Sequence, residues 1–107
     1  YLGVEDMAAF INHTAGGYLF YKTPEYHRIS RFRGNGVPMD RPGFYVYIRD
    51  NEKKDYHSIS WQPVAKDLSK AKYRCRHGLS YTVYESEYDG LASSQTMVIP
   101  RGENVLL

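Results

Sequence analysis

"YTVYESEYDGLASSQTMVI", residues 81–99, is the stretch that decides the fold. Aromatic and β-branched residues alternate with polar ones up to Tyr88, Asp89-Gly90 follows, and a second run continues from Leu91 to Ile99. Asp-Gly is the preferred chemistry of a two-residue type I′ turn, because both central positions need positive φ. The stretch therefore reads as a β-hairpin whose period of two sets one face of each arm against a core.

Working outward, residues 100–104 (PRGEN) read as another turn and Val105-Leu106-Leu107 as the first residues of a next strand. Upstream, residues 44–49 (FYVYIR) form the clearest further strand candidate, opening after Pro42-Gly43 and closing at the polar turn 50–55 (DNEKKD). That turn leads into a strand over residues 56–61 (YHSISW), and residues 18–22 (YLFYK) form another that ends at Thr23-Pro24, where proline removes a ladder donor. Helical periodicity is poor. The best helical candidates are residues 4–10, which are too short to be secure, and residues 66–72, which read as a polar connection. With 11 Tyr, 4 Phe and 1 Trp the composition favours pleated, half-buried surfaces. Short strands joined by short turns predict an all-β, antiparallel β-sandwich.

A chain of 107 residues makes one domain. The expectation is a single unit over residues 1–107, and the absence of Met before Tyr1 with the apolar rise at residues 104–107 suggests a piece of a longer protein. Fourteen Lys plus Arg against 12 Asp plus Glu give a formal charge of +2. This falls well short of the basic bias of a nucleic-acid footprint, so no nucleic-acid partner is expected. A single cysteine, Cys75, forms no internal disulfide, and a reduced cytoplasm is compatible with the fold. No stretch approaches the roughly 18 apolar residues of a membrane helix, so no membrane partner is expected, and Tyr1 to Ile11 lacks the pattern of a signal peptide.

Several constellations invite a chemical reading. Gly16-Gly17 lacks the further glycines and the helix of a phosphate loop, and reads as a turn or bulge where backbone passes close to other chain. In an extended strand Cys75 and His77 would share one face, but with His13, His27 and His57 elsewhere they match no recurrent metal spacing, so no metal is expected. Arg74 and Arg76 flank Cys75 without an identifiable partner base. The carboxylates Asp50, Glu52, Asp55, Asp89 and Glu103 sit in turns, and Glu85 and Glu87 on an outer hairpin face, where solvation is their expected role. Nothing marks the chain as catalytic on its own. Rings and guanidinium groups between Asn12 and Asp50, among them Tyr26, Arg28, Arg31, Phe32 and Arg33, suit three uses. These are single-stranded nucleic acid, carbohydrate, and burial against other protein.

The segments NHTAGGY (12–18), RISRFR (28–33), VPMDRPG (37–43), SWQPV (60–64) and YRCRHGL (73–79) occur in an order that resembles the N-terminal region of glycoside hydrolase family 94. That family includes the cellobiose, cellodextrin and N,N′-diacetylchitobiose phosphorylases. The resemblance implies a parent enzyme in which inorganic phosphate attacks the anomeric carbon of a β-linked disaccharide while an aspartic acid protonates the leaving oxygen, with no metal or organic cofactor. It implies that this chain is a non-catalytic part of a large β-sandwich, partnered by a following (α/α)6 barrel and by a second subunit in a cytoplasmic homodimer. Tyr18, Arg41, Trp61, Gln62, Arg76 and His77 are the expected contacts to those partners or to carbohydrate. His13 and the glycine-rich Gly34-Asn35-Gly36 depart from the family pattern, which leaves the disaccharide open. An autonomous carbohydrate-binding module and a part of a cyclic β-1,2-glucan synthase are the alternatives.

Overall fold

The computed structural model describes residues 1–3, 6–31 and 42–107. Every regular element among them is a strand, and every ladder is antiparallel. The hairpin read from residues 81–99 is present as β6 (Tyr81–Tyr88) and β7 (Leu91–Val98), joined by Asp89 at φ 52° and Gly90 at φ 79°. Burial alternates along β6 as the sequence pattern requires: Thr82, Tyr84 and Ser86 are buried, while Tyr81 and Glu87 are exposed. β5 (Ala71–His77) adds to the other side of β6, giving a three-stranded sheet with β6 in the centre.

β1 (Met7–Ile11) and β2 (Gly17–Tyr21) form a second sheet, in register from Met7 opposite Tyr21 to Ile11 opposite Gly17. The helical candidate over residues 4–10 is therefore corrected where it is described: Met7 to Phe10 belong to a strand, and Met7, Ala8 and Ala9 are all buried. Three consecutive buried residues suit a strand covered on both faces better than an amphipathic helix. The Asn12 side chain organises the connection, its Oδ1 accepting from the Thr14 N–H at 2.9 Å, the Thr14 hydroxyl at 3.0 Å and the Gly16 N–H at 2.9 Å. Gly17 shows why glycine is required there: a Cβ at this position would stand 1.9 Å from the Phe10 carbonyl oxygen. The reading of close backbone approach in the Gly16-Gly17 pair is correct at Gly17, whereas a Cβ at Gly16 would meet the Asn12 side chain.

β3 (Tyr47–Asp50) and β4 (Asp55–Ser58) form the third sheet. Their turn is closed by Asp50, whose Oδ1 accepts the N–H groups of Glu52 at 2.8 Å and Lys53 at 3.1 Å. β3 starts later than the run of aromatics suggests, because Phe44 is drawn aside: its N–H bonds the Ala15 carbonyl at 2.9 Å, next to the bridge between Gly16 and Gly43. β5, like β1, is a strand that sequence reading did not place. Residues 66–70 do form a polar connection, but Ala71 and Lys72 already belong to β5, whose inner residues alternate with Lys72, Arg74 and Arg76 outside.

The core lies where the sheets meet and includes Leu2, Met7, Ala9, Ile11, Leu19, Ile59, Tyr84, Met97 and Ile99. Tyr84, 1% exposed, is the largest of its fully buried side chains. Its hydroxyl donates to the Asn12 carbonyl at 2.6 Å, fastening the first hairpin to the central strand. The Asn12 carbonyl also accepts the Ala15 N–H at 3.1 Å, so loss of the tyrosine hydroxyl leaves it with a partner. Tyr84→Phe is therefore expected to cost about 1 kcal/mol, the net value of a hydrogen bond. Tyr84→Ala, which also opens a cavity, should cost about 3–5 kcal/mol. Chemical denaturation of the two variants checks both the size and the order of these losses.

Candidate functional site

The sequence-predicted contact residues do not converge on one site. Arg41 lies outside the described residues. Tyr18 stands on β2 in a row of rings, 5.4 Å from Phe10 by ring centroids, and Phe10 in turn is 5.2 Å from Tyr1. Phe10 and Tyr1 are 45% and 65% exposed, so the row forms an aromatic surface on the first hairpin.

Trp61 and Gln62 form a tight corner after β4. Just past the end of β4 the Ile59 N–H still donates to the Val46 carbonyl at 3.1 Å, and the corner is then held by the Ser58 hydroxyl, which donates to the Trp61 carbonyl at 2.6 Å and accepts the Val64 N–H at 3.4 Å. Trp61 takes a left-handed backbone conformation at φ 68°, and the Gln62-Pro63 peptide is cis. The indole N–H donates to the Lys66 carbonyl at 2.9 Å, so the polar end of Trp61 is committed within the corner. Its ring, with His13, Leu68 and Cys75, lines a groove between the corner and β5.

Arg76 and His77 occupy opposite faces of β5. Arg76 Nη2 donates to Glu85 Oε1 at 2.9 Å across the outer face, where Lys72 and Glu87 pair at 3.1 Å. These exposed pairs set charge order on the surface and contribute little to stability. On the other face His77 stands 3.4 Å from Cys75 Sγ through Nε2, and 3.0 Å from Thr82 Oγ1 through Nδ1. The shared face of Cys75 and His77 is thus real. Burial, however, pushes the Cys75 thiol pKa up, which disfavours the nucleophilic thiolate. Among the described residues no group of three or more His, Cys, Asp or Glu side chains is arranged to hold a metal ion.

A polar cluster forms around Asp55, a residue that sequence reading assigned to solvation. Asp55 Oδ1 accepts from Lys66 Nζ at 2.5 Å and from the Tyr56 N–H at 2.9 Å, while Oδ2 accepts from the Tyr88 hydroxyl at 2.7 Å. The cluster joins β4, the corner and β6. Lys66, with a side chain 23% exposed, also lies 5.2 Å from the Tyr88 ring centroid, a cation–π contact. The Lys66 and Tyr88 hydrogen bonds hold the Asp55 carboxyl well below the usual carboxylate range. His57, 3% exposed, packs 5.2 Å from Tyr88 by ring centroids, and burial pushes its pKa down, reinforced by the charge of Lys66. No sequence motif marks these residues; the available signal was the period of two, which puts Tyr84, Ser86 and Tyr88 on one face.

Both shifted groups make acid destabilising. The folded state favours neutral His57, so its contribution fades as pH falls below the ordinary value of 6.5. It also favours ionised Asp55, whose contribution is present above the ordinary value of 3.8 and fades below it. His57→Phe should flatten the stability profile between about pH 7 and about pH 5, and Asp55→Asn should flatten it only in the more acid range. Denaturation midpoints measured across pH separate the two; identical profiles for wild type and both variants would show that neither group is linked to folding.

The family model for the glycosyl hydrolase 94 supersandwich domain matches residues 1–107. An N,N'-diacetylchitobiose phosphorylase of Vibrio proteolyticus is 52% identical over 97% of this chain and 13% of its own length. One of Vibrio furnissii is 50% identical over the same shares. A solabiose phosphorylase of Paenibacillus borealis is 34% identical over 83% of this chain and 12% of its own length. The chain thus spans about 13% of the length of the first two relatives. The all-β antiparallel fold agrees with the family description, and with the model matched along its whole length the chain belongs to the glycosyl hydrolase 94 supersandwich-domain family.

Proposed function

We propose that this chain is the non-catalytic N-terminal part of an inverting phosphorylase that cleaves N,N'-diacetylchitobiose with inorganic phosphate. The observation that carries this reading is the 52% and 50% identity to two diacetylchitobiose phosphorylases, against 34% to a phosphorylase of a different disaccharide. In the reaction a phosphate oxygen bonds to the anomeric carbon, the glycosidic C–O bond breaks, and the leaving oxygen takes a proton from an acid. Phosphate is a co-substrate, and no further cofactor is required. On this reading the acid and the phosphate ligands belong to chain beyond these residues, in an (α/α)6 barrel, and the 13% share of the relatives' length spanned here leaves room for it.

The role of the present residues is then to carry that barrel and to contribute to a homodimer contact in a cytoplasmic enzyme. Several side chains suit such contacts. The Trp61-Gln62 corner offers a ring held by the bond from its indole N–H to the Lys66 carbonyl. Arg76 and His77 border the β5–β6 turn, at which Leu79 is fully exposed. Tyr18 belongs to the exposed aromatic row, and Arg41 adds a guanidinium group. Aromatic and arginine side chains are enriched at protein interfaces.

The full-length protein, given phosphate and diacetylchitobiose, should release N-acetylglucosamine and its 1-phosphate, with much lower activity on cellobiose. Hydrolysis independent of phosphate, or preference for cellobiose, overturns the assignment. In the same protein Arg76→Ala and Trp61→Phe should reduce the dimer fraction or the melting temperature while leaving kcat within about threefold. Loss of turnover in an intact, normally stable dimer contradicts the scaffold role.

A further inference from the structure

β7 is an edge strand of unusual character. Its eight residues, LASSQTMV, contain no charged residue and no proline, the devices by which natural sheet edges resist further pairing. Val98 donates its N–H to the Leu107 carbonyl and accepts the Leu107 N–H, both at 3.0 Å, after the turn at residues 100–104 returns the chain alongside β7. In an antiparallel ladder such reciprocal pairs recur at every second residue. Ala92, Ser94 and Thr96 therefore direct their N–H and C=O groups to the same edge as Val98, away from β6, and among the described residues these groups have no backbone partner. The side chains agree with this register. Leu106 falls opposite Ile99, and both pack into the core.

We propose that the β7 edge receives the stretch of the same polypeptide that follows Leu107, as an antiparallel strand in the register of the Val98–Leu107 pair. The inference rests on the reading that these residues are the N-terminal part of a longer phosphorylase, which puts further chain after Leu107, and the relatives, of whose length about 13% corresponds to this chain, support that reading. Counting from the reciprocal pair, the second residue beyond Leu107 stands opposite Thr96, the fourth opposite Ser94 and the sixth opposite Ala92. The first and third face inward, opposite Met97 and Gln95. Gln95 Oε1 is buried without a hydrogen-bond partner among the described residues, so a donor at the third position would satisfy it.

Hydrogen exchange of the full-length protein tests this directly. Slow exchange at the amides of Ala92, Ser94 and Thr96, comparable to that of β6 amides and unchanged on dilution below the dimer range, is the expected result. Exchange at free-peptide rates there, with β6 amides protected, overturns the proposal by showing an open edge. Protection that disappears on dilution overturns it too, by assigning the edge to a second copy. Ser94→Pro supplies an independent readout: proline is tolerated on an open edge, whereas a paired edge predicts a melting temperature several degrees below that of Ser94→Ala. Equal melting temperatures contradict the proposal. Phosphorolysis measured on the wild-type protein reports separately on the enzymatic reading, so failure of one is distinguishable from failure of the other.

Discussion

The Tyr84 side chain, only 1% exposed and donating its hydroxyl to the Asn12 carbonyl, is the contact on which the packing of the chain depends. Four residues along the same strand, on the same face, Tyr88 donates to Asp55. The first bond holds the β1–β2 hairpin and the second the β3–β4 hairpin. A two-stranded hairpin is marginal alone in water, so each of these depends on its attachment to the three-stranded sheet. β6 serves as the common support, and tyrosine suits the task because it combines a large apolar body with a polar tip that finds a partner when buried.

This arrangement gives the molecule an uneven distribution of polar chemistry. Outside the three-stranded sheet, Lys72, Arg76, Glu85 and Glu87 form exposed pairs that set charge pattern. Inside, Asp55 accepts hydrogen bonds from both Lys66 and Tyr88, and the Lys66 ammonium lies against the Tyr88 ring in a partly shielded space. Neutral His57 is packed beside them. The inner cluster acts as a clamp between sheets, and it commits both oxygens of the Asp55 carboxylate to hydrogen bonds within the fold.

Local chemistry was legible in the sequence and long-range pairing was not. Asp89-Gly90 between two alternating runs specified both strand ends and the turn, because both requirements are satisfied within a few residues. Gly17 was legible as a close approach, and its neighbour across the ladder proved to be the Phe10 carbonyl. β5 was missed because its outer Lys and Arg side chains disguise the period of two as polar connection. The strand over Met7–Ile11 was taken for a weak helix because Ala8 and Ala9 favour helices, and burial on both faces overrode that preference. Asp55 looked like one more solvated turn residue, since nothing near it in sequence reveals that Tyr88 lies beside it. The family segments, by contrast, carried the phosphorylase relationship without any knowledge of these contacts.

If β6 holds the two hairpins through separate tyrosines, their local opening should be separable. The most direct measurement is residue-resolved native-state hydrogen exchange of Tyr84→Phe. Faster exchange in β1 and β2, with β3 and β4 unchanged, is the predicted result; acceleration spread evenly over all strands, or none in the first hairpin, would contradict the account.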